Sequence, residues 1–497
     1  MAITMQAPAG ASGSFGMPSG TSYTISNGVI AANAADVSAL LGLGFVIRGS
    51  NDFRARLAPT GYSAFDADFQ ITGGGAPGQF ALQARAAAGD GSALAYFTNK
   101  FSADLNSTAV YIAPWGSDSN NGAMATPYLT LNKGLRSVSA SYVYLMGFTE
   151  RNPVKFDDYR ASDTGAGALK IVRGLGRRQV IGIPGPDASL LTWTNSSGTY
   201  TTTLASGFPA RVLYYPDNGD PVPLLSYASA ASLTGTVWGW NYNSGTAVLS
   251  VRLGGADVTI ARSQLRIVCN GTSTSSAGDP RLLIYNGARI VFDNICFDGA
   301  YPYALGVGAT QSWLAAQNCV FQYADNYGVF VDSSNSFLQN CRILRSKSDG
   351  VNYKDTANTP TFLVEHNVVS EYAGDIDTFG SAGGWIVNGS SNDSAGPVVR
   401  INGAYRYSAG PTLPDKKSWN CGVVAGPSAV PFDQATGVTG ADFLAQTAGS
   451  IVWCDACLSG GSRYGFFAYG AGTTLSMANC DGGSSTSTGG AIASYSP

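Results

Sequence analysis

"LQNCRILRSKSDGVNYKD", residues 338–355, decides the fold, because phrases like it keep returning along the chain. Upstream stands "AAQNCVFQYADNYGVFVD" (315–332), and downstream "LVEHNVVSEYAGDIDT" (363–378), "SWNCGVVAG" (418–426) and "MANCDGGSSTSTGGAIA" (477–493). Aligned on cysteine, the steps are 23 residues from Cys296 to Cys319, 22 from Cys319 to Cys341 and 23 from Cys457 to Cys480. Asn367 falls 26 after Cys341 and is assigned the same slot, which puts His366 in the slot of Asn318 and Asn340. A period in the low twenties signals a solenoid. The leucine consensus of leucine-rich repeats is absent. Short alternating strands (290–292, 329–331, 362–364) separated by Gly, Asn and Ser appear instead. Three such strands per repeat make an all-β chain wound as a parallel β-helix, with equivalent positions stacked at about 4.8 Å. Small cysteines suit an internal stack and asparagines suit the corners, so the phrase marks one recurring corner. The C-x-x-C spacing of Cys454 and Cys457 then belongs to that stack, and no metal site is expected there.

Composition agrees with a turn-rich β protein. Charged residues are 12% of 497, against roughly 25% in an average soluble protein, and Gly contributes 63 positions, about twice the usual share. With 44% hydrophobic and 11% aromatic residues, a large core is available and disorder is excluded. A net charge of −3 without a basic run disfavours nucleic acid. No apolar stretch approaches 18 residues, so membrane insertion is not expected. "MAITMQAPAGASGSFGMPSG" (1–20) lacks the basic and apolar regions of a secretory signal, and the eight cysteines follow no disulfide-framework pattern. Synthesis in a reducing cytoplasm is the expectation. No phosphate loop, zinc motif or nucleophile elbow is present, so no cofactor is expected. A neutral surface rich in aromatics, Asn, Ser and Thr suits uncharged or weakly charged sugars.

The chain divides into a leader (1–50), a neck (51–107), a capping helix with the first coils (108–190), an antiparallel β insertion (191–262) and the main coil (263–497). The insertion is read from hairpin-like runs such as "GTVWGWNYNSGTAVLSVRL" (235–253), and an excursion at 380–450 interrupts the main coil. Long loops on a solenoid are usually functional or contact a neighbouring chain.

"VYIAPWGSDSNNGAMATPYLTLNKGL" (110–135) resembles the opening segment of pectate-lyase-like right-handed β-helix proteins, through Asp118, Gly122, Pro127, Tyr128 and Thr130. "NGVIAANAADVSALLGLGF" (27–45) is similar to a short N-terminal segment of phage tail proteins, and the insertion resembles one found in bacterial and phage β-helix proteins. The resemblance implies a tailspike or tail fibre, trimeric and carried on the virion. It would meet other tail or baseplate proteins through its N-terminus and bind a host surface polysaccharide, with or without cleaving it. A non-catalytic adhesin of the same shape and a free polysaccharide lyase are the alternatives.

Glycosidic cleavage needs two carboxylates, about 5–5.5 Å apart for retention or about 6.5–9.5 Å apart for inversion. Tyr327, Asp349 and Asp375 each lie eight residues beyond their corner slot and would form one column. Glu371 and Asp377 complete the densest acidic cluster, so Asp349, Asp375, Asp377 and Glu371 are the catalytic candidates. Each also reads as a solvated turn residue. A lyase would draw on Lys354, Arg345 and His366. Tyr327, Arg345, Lys354, Trp385, Arg406 and Trp419 are the candidate sugar contacts, with Arg400, Tyr405 and Tyr407 nearby; aromatic faces stack on sugars and Arg binds carboxylates or hydroxyls. Packing onto the coil or between subunits is the competing reading of these side chains.

Overall fold

The structure is a computed structural model. It describes most of 92–374 and 387–494, with breaks at 155–158, 161–167, 183–187, 206–208, 215–221, 255–263, 270–282, 428–439 and a few shorter ones, together with segments between 2 and 47.

Among the described residues, strands stack into three parallel sheets of twelve, ten and eight members. One coil runs through Tyr327–Asp332 in the ten-stranded sheet, Asn335–Gln339 in the twelve-stranded sheet and Arg342–Leu344 in the eight-stranded sheet. The next runs through Val351–Lys354, Leu363–His366 and Val369–Glu371. Val329 pairs with Val351, Ser336 with Leu363 and Ile343 with Ser370, all in parallel. The chain is a right-handed parallel β-helix, as its period predicts.

The corner between the twelve- and eight-stranded sheets explains the recurring phrase. Asn294, Asn318, Asn340, Asn367 and Asn402 all have left-handed backbones, with φ between 51 and 59°. Asparagine tolerates this region better than most residues, because its short side chain bonds locally. Here the side chains bond between coils: Asn367 Nδ2 donates to Asn340 Oδ1 at 2.9 Å, and Asn318 Nδ2 to Asp293 Oδ1 at 3.0 Å. Where a cysteine follows the corner residue, which is Ala456 before Cys457, it turns inward and donates its thiol to a carbonyl of the preceding coil. Cys341 reaches Ala316 O at 3.3 Å, Cys457 reaches Asn420 O at 3.2 Å, and Cys480 reaches Cys454 O at 3.2 Å. Asparagine supplies the turn, and cysteine fills the space behind it.

The same geometry corrects three assignments. Asn367 aligns with Asn340, so Val368 takes the cysteine place and His366 aligns with Gln339, to which its Nδ1 is linked at 3.1 Å. The extra residues between Cys341 and Asn367 had hidden this one-residue slip. Cys296 pairs with Val320 on the outer face of the eight-stranded sheet. Cys421 pairs with Ile401 and packs outside the twelve-stranded sheet.

The interior is largely apolar, with Phe297 stacked on Phe321 and Phe443 on Phe466, both at 4.9 Å. Lys170 enters it near the capping helix, donating to Ser137 O and Ala140 O, and a rung of three charges interrupts it further along. Arg400, Glu365 and Asp415 are completely buried. Arg400 donates to both Asp415 oxygens at 2.7 and 3.0 Å, to Glu365 Oε1 at 3.2 Å and to Ser390 Oγ at 2.9 Å. Tyr405 donates to Glu365 Oε2 at 2.5 Å. Burial alone would depress the guanidinium, but Asp415 and Glu365 outweigh it and hold Arg400 charged. Arg400 and Tyr405, candidates for a surface groove on sequence, therefore lie inside the coil.

Four further elements dress the coil. The helix Leu131–Leu135 is capped by Thr130, whose backbone and hydroxyl are held by Asp118; this is the job of the motif read at 110–135. The helix Ala93–Lys100 lies on the twelve-stranded sheet, with Tyr96 stacked on Phe362 at 5.0 Å. In the insertion, Leu265–Cys269 pairs antiparallel with Pro209–Tyr214, so the coil resumes at Leu283–Tyr285, later than the boundary expected at 262. In the leader, Met17, Tyr23 and Ile30 form one apolar cluster with Val369, Ala404 and Val424 on the outer face of the eight-stranded sheet. Residues 51–91 of the expected neck lie outside the described residues.

Arg400→Met leaves two buried carboxylates without their counter-charge and is expected to destabilise the fold by about 3–5 kcal/mol. Replacing Glu365, Arg400 and Asp415 together by apolar residues of similar volume is expected to recover most of that loss in thermal denaturation, because no buried charge then remains.

Candidate functional site

The outer face of the eight-stranded sheet carries a groove of about 520 Å³. Strand pairing builds its floor. Cys296, Val320 and Arg342 stand in one column, and Gln322, Leu344 and Glu371 in another. Glu150 and Arg178 reach in from the first coils, and Arg178 Nε donates to Asn318 O at 3.3 Å. Arg342 faces Glu371 at 3.5 Å; the arginine is half exposed and the glutamate largely covered.

The third side is a ladder at the sheet's exit corner. Tyr323, Arg345 and Tyr372 line the groove, and Tyr407 continues beyond it. All four are left-handed, at φ 57, 52, 59 and 57°. Each donates its backbone N–H to the next coil, for example Arg345 to Glu371 O at 3.0 Å and Tyr372 to Arg406 O at 3.1 Å. On the preceding coil this place belongs to Gly299, at φ 75°, which bonds to Gln322 O in the same way. Glycine adopts this backbone without strain. A bulky residue there costs about 1–3 kcal/mol, and such strain clusters at functional sites. Four successive coils accept it.

The ladder is stiff. Tyr372 stacks on Tyr407 at 5.0 Å, the Arg345 guanidinium lies 4.9 Å over Tyr372, and Arg406 lies 4.8 Å over Tyr407. Both faces of the Tyr372 ring are thus engaged, and the side chain remains partly exposed. The groove holds three arginines and two glutamates in a chain whose net charge is −3, so it is locally positive.

Of the residues proposed from sequence, Arg345 and Glu371 meet here, and Arg406 stands one coil beyond Glu371. The other described ones do not join them. Trp419 is buried on the outer face of the twelve-stranded sheet, in one cluster with Ile401 and Trp453. Lys354 ends its strand in the ten-stranded sheet, where its carbonyl accepts from Ser333 N at 2.9 Å. Asp375, Asp377 and Trp385 lie outside the described residues. The expected column of Tyr327, Asp349 and Asp375 holds for its first two members only. Tyr303, Tyr327, Asp349 and Asn388 share that register, because the excursion after Gly374 displaces the next strand to Ser390–Asn392.

Asp349 is buried, and its carboxylate accepts four bonds: from Asn388 N at 2.9 Å, Asn388 Nδ2 at 3.3 Å, Ser391 Oγ at 2.8 Å and Asn352 Nδ2 at 2.8 Å. Burial nevertheless raises its pKa to about 6. Asn352 Nδ2 also lies 3.4 Å from Asp393 Oδ2, so an oxygen of each carboxylate lies no more than about 6 Å from the other.

Sequence reading missed Asp393, Tyr323, Tyr372, Arg342, Arg178 and Glu150 as site residues. The ladder did have a signal. Tyr323, Arg345, Tyr372 and Tyr407 each stand five residues after a corner asparagine. Glu150 and Arg178 come from other coils and have none.

No protein-family model and no curated protein matches the chain. Solved structures similar in shape include XylC in complex with xylose, at TM-score 0.37 and 8% identity over 75% of this chain and 70% of that one. Others are a GH136 lacto-N-biosidase from Eubacterium ramulus (0.34, 9%, 78% and 68%) and the pectate lyase Pel9A (0.32, 14%, 78% and 81%). Likenesses this distant say nothing about activity, and the β-helix rests on the chain's own strand pairing.

Asp349→Ala strands three donors, Asn388 N, Asn388 Nδ2 and Ser391 Oγ, whereas Asn352 Nδ2 keeps Ser391 and Asp393, and it is expected to lower stability by about 1–3 kcal/mol, seen as a fall in Tm. Between pH 3.8 and about 6 the folded chain retains a proton on Asp349 that the unfolded chain has released. Asp349's contribution to stability therefore falls as pH rises through that window, and a pH series of melts is expected to lose this slope in the variant.

Proposed function

We propose that the protein binds a bacterial surface polysaccharide in the groove on the eight-stranded sheet, as a trimeric phage tailspike or tail-fibre component. The observation that carries the reading is the strained ladder Tyr323–Arg345–Tyr372–Tyr407 beside the groove. Guanidinium donors, tyrosine hydroxyls, Gln322 and Glu371 together offer the hydrogen bonds that sugar hydroxyls and carboxylates need. The virion role is supported by the leader's resemblance to phage tail segments.

A second reading, hydrolysis, draws on Asp349 and Asp393, two carboxylates bridged by the Asn352 amide. Asp349 would donate the proton and Asp393 would act as nucleophile. Its test is the release of reducing ends from a bound polysaccharide, abolished in Asp393→Asn. Unsaturated uronate among the products would make the reaction an elimination and remove this pair from it.

Binding is tested on purified capsular polysaccharides and lipopolysaccharides by biolayer interferometry. Arg345→Ala and Tyr372→Ala are each expected to weaken binding at least about tenfold, or about 1.4 kcal/mol, with the fold intact. Unchanged affinity in both variants would move the site away from this groove. Three chains per particle by sedimentation is the expected assembly.

A further inference from the structure

The groove does not run the length of the coil. Its sheet begins with Gln179–Gly182, the first strand at the coil's N-terminal end. On that side the insertion leans on the exit corner. Leu213 packs on Tyr323, the Arg211 guanidinium lies 5.8 Å from the Tyr323 ring, and Arg266 is ion-paired with Asp298. On the far side the leader takes over. The column that floors the groove, Cys296–Val320–Arg342, continues as Val369–Ala404–Val424. These three residues are covered by Met17, Tyr23, Ile30 and their neighbours. Arg342, the charge of this column, stands in the open part, and the residues beneath the leader are all apolar.

Four strands line the groove, those containing Cys296, Val320, Arg342 and Glu371; the leader covers the last of them at Val369 and leaves Glu371 in the groove wall. At the spacing of neighbouring strands they span about 14 Å, room for about three linked sugar rings. A long polysaccharide lying along the coil axis would run into the leader at one end and the insertion at the other.

Resting on the glycan-binding reading above, we propose that the groove is a chain-end site: it takes about three terminal sugars of a polysaccharide rather than an internal stretch. The leader is then a specificity element, because it sets where the groove stops.

The test uses oligosaccharides of two, three, four, six and eight residues cut from a polysaccharide that the intact protein binds, titrated calorimetrically against the full chain. Affinity is expected to rise to about three residues and then stay level, and intact polymer is expected to bind one groove per chain end whatever its length. Affinity that keeps climbing to eight residues, or several proteins bound along one polymer, would overturn the proposal while leaving glycan binding standing. Failure of the polymer itself to bind would remove both. In Ala404→Arg a charged side chain beneath the leader expels it, as limited proteolysis would report, and the plateau is expected to move to longer oligosaccharides. A plateau unmoved with the leader released would also overturn the proposal.

Discussion

Everything in this molecule depends on one corner that does not vary. Between the twelve- and eight-stranded sheets the chain turns on a single left-handed residue, asparagine on five successive coils, and the space behind it is filled by the next side chain or, after Asn402, by the Tyr405 ring over Gly403. The two strands on either side are thereby locked in relative phase. Inward positions stay inward from coil to coil, which lets Phe297 stack on Phe321 and the thiols find carbonyls one coil back. Among the described residues, the strands of each of the three sheets then pair from coil to coil.

A fixed corner forces variation elsewhere. The longest interruptions of the repeat start at Gly182, Gly374 and Pro427, and all three residues lie at the exit of the eight-stranded sheet. That is also the corner bearing the tyrosine–arginine ladder. The groove therefore lies between an invariant wall and a variable one. Its floor repeats with the coil, whereas its boundaries come from segments that break the repeat.

How much could be read from the sequence follows from the same division. The period, the strand-breaking asparagines and the buried cysteines were legible because each coil repeats the same local physics. Asn367 and His366 were read one place out because the preceding coil carries extra residues at 355–362, and a count from cysteine cannot see where added residues lie. Arg400 and Trp419 looked like surface residues because charge and size normally mean exposure; the first is neutralised by acids on neighbouring coils, and the second packs against Trp453. The candidate site was half legible. Arg345 and Glu371 stood out as charges in a charge-poor chain, but the meeting of Glu150, Arg178 and Arg342 depends on stacking across coils. No local pattern records that.

The buried charge has a consequence for how the stack counts itself. A solenoid of similar apolar coils is exposed to miscounting, since a coil paired with the wrong neighbour would bury nearly the same groups. Arg400 removes that degeneracy. Its guanidinium is satisfied only when Glu365 lies on one side and Asp415 completes the rung on the other. A stack that skipped a coil would leave three ions stranded in an apolar interior. The triad marks its rung as unlike the neighbouring ones and gives the coils after it an unambiguous address.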